Sequence, residues 1–155
     1  LALLRQPQKS AGMKASEDGF NEGARLPGRN PCHAQLLSHD ATPAGIRLCL
    51  DRALAANHPP TGIVVCDAAH ALCAASHLLA RKFALPGDLS LIGRDHDAFL
   101  SYFHPEITRY TYRKHLFARR VARLAIQLAT HGRIPQRNHR LIPQLIAGQT
   151  VAPPR

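Results

Sequence analysis

Two apolar runs of strand length, TGIVVC at 61–66 and LSLI at 89–92, stand on either side of a helix-patterned stretch, and this arrangement restricts the fold more than anything else in the chain. Between them Leu72, Ala75, Leu79 and Phe83 recur at helical spacing, and Asp67 directly follows the first run as a helix N-cap. A strand, helix, strand unit of about thirty residues predicts parallel strands joined by a crossover helix. The right-handed rule for such crossovers predicts a doubly wound parallel α/β sheet with helices on both faces. The second run has turn residues before it, Pro86, Gly87 and Asp88, and stops at Gly93. Ligands in open α/β sheets bind beyond the carboxyl ends of strands, which makes Arg94, Asp95, His96 and Asp97 the first candidate site.

The remaining elements follow the same alternation. Leu1–Leu4 reads as a strand, 5–12 as a polar loop and Met13–Leu26 as a helix with Phe20 and Ala24 on one face, ended by Pro27 and Gly28. His33–Ser38 reads as a short strand, after which Thr42 caps a helix carrying Pro43 at its first position, with Ile46, Leu50 and Leu54 as its buried stripe. Asn57 to Pro60 break that helix. Beyond Asp97 the pattern predicts a helical turn at Phe99–Phe103, a strand at Ile107–Tyr112 and a long amphipathic helix at Lys114–His131. In that helix Phe117, Val121, Leu124 and Leu128 form the face expected to be buried, and Gly132 is the C-cap. Leu141–Ala147 reads as a last strand.

Composition excludes several classes. With 155 residues, 45% hydrophobic and 19% charged, the chain has the make-up of one ordinary globular domain. Its formal charge of +10 would suit a polyanion, but the arginines are scattered rather than gathered into a block, so direct nucleic-acid contact is not the favoured reading. The four cysteines form no CxxC pair and read as reduced thiols. No run is long enough for a membrane span, and no secretory leader pattern is present. His70 and His77, seven apart, and the Asp95, His96, Asp97 triplet lack the spacing of a known zinc site, so no metal or other cofactor is expected. The absence of a G-x-S-x-G elbow, an H-E-x-x-H pair or a phosphate loop argues against an enzyme.

Five segments in order, TGIVVCDAAHALCAASHLL, LPGDLSLIGRDHD, FHPEITRYTY, LFARRVARLAIQLATHG and LIPQLIAGQTVAPP, resemble the second half of the ligand-binding region of the lactose-repressor family of bacterial transcription regulators. DGF at 18–20 and SHDATPAGI at 38–46 fit the same family, so the likeness spans nearly the whole chain. It implies the C-terminal half of a periplasmic-binding-protein-like (type I) two-lobe fold. Residues 1–96 and 140–150 would belong to the C-terminal lobe, and 97–139 would cross to the N-terminal lobe. The rest of that lobe and the helix-turn-helix that reads operator DNA are missing, and the start at Leu1 suggests a fragment. The implied protein is a cytoplasmic homodimer that senses a sugar or related small metabolite.

The resemblance also implies site residues. Asp95 takes the place of a ligand-binding aspartate, and a carboxylate suits paired sugar hydroxyls. Asp67 stands where the family usually has asparagine, and it is either a ligand acceptor or a plain helix cap. Ser16 takes the place of a frequent arginine, with Lys14 and Arg25 the nearest basic alternatives. Arg94 replaces an aromatic residue and either supplies the missing charge or pairs structurally with Asp97. Tyr112 stands near a family glutamine in the lobe crossing, Arg113 replaces a common proline, and Ala41 an aromatic. A periplasmic sugar-binding protein of a transport system, which would carry a signal peptide upstream, and a truncated fragment without ligand function are the alternatives.

Overall fold

The structure is a computed structural model that describes residues 1–7, 10–26, 32–95, 97–134 and 142–153. The predicted helix stop at Pro27 and Gly28, His96 and the expected strand start at Leu141 lie outside the described residues. Six strands form one sheet in the order β2-β1-β3-β4-β5-β6. They are β1 (Ala2–Arg5), β2 (Gln35–Ser38), β3 (Gly62–Val65), β4 (Ser90–Gly93), β5 (Thr108–Thr111) and β6 (Gln144–Ile146). The first five run parallel, and β6 returns antiparallel on β5. The helices are α1 (Ala11–Ala24), α2 (Pro43–Leu54), α3 (Ala68–Ala80) and α4 (Lys114–His131), with a 3-10 turn at Ala98–Tyr102.

The helix starts are set by local chemistry. Ser10 accepts a hydrogen bond from the Met13 amide, Thr42 from the Gly45 amide with Pro43 just inside, and Asp67 from the amides of Ala69 and His70. At the far end of α4, Gly132 adopts a left-handed φ of 65°, the conformation a glycine C-cap supplies at least cost.

The core lies on one sheet face. Ala2 and Leu4 of β1, Ile63 and Val65 of β3, and Leu91 of β4 point to α2 and α3, whose Ile46, Leu50, Ala71, Ala74, Ala75 and Leu78 complete the cluster. The face of α3 differs from expectation. Ala75 is buried as predicted, but Leu72, Leu79 and Phe83 are only half-buried, and Ala68, Ala71 and Ala74 meet the sheet instead. Small side chains let this helix lie close to the strands, a face that a search for large apolar residues passes over. Leu54 of α2 is likewise half-buried, with Ala53 taking its place in the core.

Ile92 and Gly93 pair with Thr108 and Arg109 and hold β5 beside β4. One further expectation is corrected. The helix α4 has no buried residue: Phe117, Val121 and Leu128, expected in a core, are about half exposed, and Leu124 is only half-buried. Amphipathic spacing marks the face suited to a partner, and no described element of this chain covers it.

The pairing of β4 with β5 spans only two residue rows, and the gap below it is closed by the C-terminal segment. Thr150, fully buried, donates from Oγ1 to the Leu91 carbonyl at 2.7 Å and accepts there from the Thr108 amide at 3.0 Å. Its own carbonyl accepts from the Leu91 amide at 2.8 Å. Gly148 allows this close approach, since a Cβ there would lie 2.3 Å from the Glu106 carbonyl oxygen. Thr150→Val keeps the shape and removes both hydroxyl bonds, so the chain should lose about 2 to 3 kcal/mol, while Thr150→Ser should lose much less. Urea unfolding midpoints of the two variants check this.

Candidate functional site

The carboxyl ends of β1, β3 and β4, together with α1 and the β2–α2 loop, bring one polar cluster together. Arg94, the first residue after β4, donates from Nε and Nη2 to both carboxylate oxygens of Asp95 at 2.8 and 3.0 Å. Its Nη1 donates to Ser16 Oγ of α1 at 2.8 Å, and the Ser16 hydroxyl in turn donates to the Gly12 carbonyl at 2.9 Å. Burial alone would lower the Arg94 pKa, but the bonds and charge of Asp95 outweigh it and raise it. Arg94 therefore pairs with Asp95 and not with Asp97, because the adjacent carboxylate meets the planar guanidinium fork edge to edge. The charge that α1 lacks at Ser16 comes from the end of β4.

Asp67 fills its capping role through Oδ1, which accepts from the amides of Ala69 and His70 at 2.9 and 3.1 Å, while 49% of its side chain stays exposed. Beside it, the Arg5 guanidinium pairs with Glu17 of α1. The buried Cys66 thiol lies between these groups; burial pushes its pKa up, and Arg94, Asp95, Arg5 and Glu17 all act on it. Asp40, exposed and next to His39 in the chain, accepts at Oδ1 from both the amide and the hydroxyl of Thr42, which hold the carboxyl below its usual range. Gly45 makes room for it, since a Cβ there would fall 1.9 Å from Asp40 Oδ1.

Two histidines line the same end of the sheet. His39, buried to 5% exposure, accepts at Nδ1 from the Ala41 amide at 3.0 Å, so the neutral ring carries its proton on Nε2. That Nε2 has no hydrogen-bond partner among the described residues. The His70 ring meets His39 edge-on with centroids 4.7 Å apart, and His70 Nε2 lies 3.5 Å from Gln6 Nε2. Burial, and then the neighbouring His70, lower the His39 pKa, against the opposing pull of Asp40 and Asp67.

Of the residues proposed from sequence, Ser16, Arg94 and Asp95 bond directly and Asp67 stands within electrostatic reach of Arg94. Tyr112 does not join them: it is exposed and packs on Phe117 with ring centroids 5.8 Å apart. His77, on the sequence face of His70, turns to α2, where Asp51 Oδ1 lies 2.9 Å from its Nε2 and accepts from Arg81 at 2.8 Å. Glu17, Gln6 and His39 are cluster members that the sequence reading did not single out, and it weighed His70 only as a metal ligand. The signal was present for Gln6 and His39, each the first residue past a strand. Among the described residues no three His, Cys, Asp or Glu side chains are arranged to hold a metal ion, and no helix is long and apolar enough to cross a membrane.

The fold is a mostly parallel α/β sheet with a polar, half-open cluster at its carboxyl edge. Residues 1–151 match the periplasmic binding protein-like domain family, and the chain belongs to it. Among solved structures, it is similar to a LacI family transcriptional regulator from Bifidobacterium animalis subsp. lactis (TM-score 0.85, 23% identity, 98% of this chain, 55% of that one). The dimeric Lac repressor with an 11-residue C-terminal deletion is also similar (TM-score 0.83, 21% identity, 99% of this chain, 56% of that one). So is a LacI family regulator from Enterococcus faecium solved with bound ribose (TM-score 0.78, 19% identity, 99% of this chain, 57% of that one). A curated relative, the HTH-type transcriptional repressor PurR of Mannheimia succiniciproducens, is 27% identical over 103 residues, 66% of this chain and 31% of its own. The chain thus spans about half the length of the solved relatives and about a third of the curated one.

The histidine geometry has a pH consequence. His39 binds a proton less readily folded than unfolded, where its pKa is near the ordinary 6.5. Its contribution is therefore intact above that value and is lost as pH falls from 6.5 toward the lowered folded value. His39→Asn, which keeps an acceptor for the Ala41 amide, should flatten the loss of stability between pH 7 and pH 5. Thermal unfolding of both proteins across that range checks it.

Proposed function

We propose that this chain is the effector-binding region of a lactose-repressor-type transcription regulator and that the cluster around Arg94 and Asp95 is half of its ligand cleft. The observation that carries the reading is the coincidence of that cluster with the carboxyl edge of a sheet belonging to the periplasmic binding protein-like family. The module binds and does not catalyse: its carboxylates serve as a helix cap, a turn anchor and ion-pair partners, without a paired nucleophile and base.

In this reading β1–β5 and the tail form the C-terminal lobe. The stretch after Tyr112 crosses to the N-terminal lobe, whose remaining elements cover the apolar face of α4. A small metabolite, a sugar or a relative of one, binds between the lobes and favours one arrangement of the two. In a homodimer that arrangement sets the spacing of DNA-binding heads carried elsewhere in the protein, and so the affinity for operator DNA. The regulator acts in the cytoplasm. The ribose bound to the Enterococcus faecium relative makes pentoses natural first probes.

Two measurements test this. Ribose, hexoses, amino sugars and nucleosides, titrated into the intact protein by calorimetry and thermal shift, should include a binder whose affinity falls about tenfold or more in Asp95→Ala. Heat-silent, shift-free titrations across the set would refute the effector role. Val121→Asp on α4 should lower the stability of the intact protein by about 2 kcal/mol or more while leaving the 155-residue chain within about 0.5 kcal/mol. Equal effects in both would refute the assignment of α4 to a second lobe.

A further inference from the structure

We propose that the effector carries a protonated amine beside its hydroxyl groups, an amino sugar or similar amino alcohol, and that Asp67 and Asp40 receive the amine. The inference rests on the effector reading above and concerns the chemistry of the same cleft.

Charge balance carries the argument. The chain as a whole has a formal charge of +10, yet the described residues clustered at the ends of β1, β3 and β4 carry more carboxylates than guanidinium groups. Both arginines of the cluster are spent, Arg5 on Glu17 and Arg94 on Asp95 and Ser16. Against these two cations stand four carboxylates, Glu17, Asp40, Asp67 and Asp95, which leaves two negative charges in excess. Of the two histidines, His39 adds no charge while the Ala41 amide donates to its Nδ1, and His70 Nδ1 stands 3.7 Å from Asp67 Oδ1, outside hydrogen-bonding distance. Among the described residues, the two cluster carboxylates without an arginine are Asp67, about half exposed, and Asp40, exposed.

Closing a second lobe over two uncompensated carboxylates removes them from water at a cost that hydroxyl groups offset only in part and an ammonium group offsets directly. Phosphate or carboxylate on the ligand would add to the excess. The buried Nε2 of His39, without a partner among the described residues and beside the His70 ring, gives a second indication: it is a donor with no described acceptor at the same edge. A ligand hydroxyl that moves the His70 ring aside supplies that acceptor.

The test uses the intact protein and matched probes that differ in one group: glucosamine, glucose and glucose 6-phosphate, and the same set built on ribose with 5-amino-5-deoxyribose. In calorimetric titrations the amine should bind about tenfold or more tighter than its neutral partner, the phosphate should be weakest, and added salt should weaken the amine alone. Asp67→Asn retains the helix cap and removes the charge, so it should cancel most of the amine's advantage while changing the neutral sugar less than about threefold. A neutral or phosphorylated member binding as well as its amine would overturn this inference and leave the effector reading standing. Silence from every probe in both sets would count against both.

Discussion

The sheet depends on one buried threonine. β4 and β5 touch over two rows and then part, and Thr150 bridges the opening with its hydroxyl and its carbonyl. Each of these bonds is modest in net energy, but leaving their partners unpaired at a fully buried position is costly. Through them β4 is held from both sides, by β3 over its whole length and by the tail and β5 on the other edge. The end of β4 carries Arg94 and Asp95, so the orientation of the ion pair in the proposed cleft depends on a residue fifty-five positions beyond Asp95 in the chain.

The polar edge shows how a single substitution pattern can alter the character of an inherited site. An arginine next to an aspartate forms a pair with itself before any ligand arrives. That pair reaches across to Ser16 and ties α1 to β4. In the proposed cleft, what remains available to a ligand is decided by neighbours that are not so tied, Asp67 and Asp40 above all. The overall basic charge of the protein says little about this edge, because fields at a half-buried cluster are set by the nearest few groups.

Much of the fold was legible because strand and helix periods and cap residues act locally. Thr42 with Pro43, and Asp67 after TGIVVC, mark helix starts within a residue or so. What was not legible depends on contacts distant in the chain. Spacing identified the apolar stripe of α4 but not whether anything lies against it, and it favoured Leu72 and Leu79 on α3 where alanines face the sheet. Thr150 belongs to no periodic element, so nothing local marks it as a structural residue. Within the site, strand-end position pointed to Arg94 and Asp95, and the family resemblance to Asp67 and Ser16. The choice of Asp95 over Asp97 as ion-pair partner, and the inward placement of His39 and His70, follow from backbone direction that residue order alone does not encode.

The position of Thr150 also orders events during synthesis. A chain that has emerged as far as β4 has most of its core-facing residues, both core helices and the polar edge, but the outer margin of β4 still presents unpaired amides and carbonyls. Such a margin is an invitation to pair with another unfinished chain. The lobe is therefore most exposed to misassembly late, after most of its buried surface has formed, and passes out of danger only when the segment around residue 150 arrives.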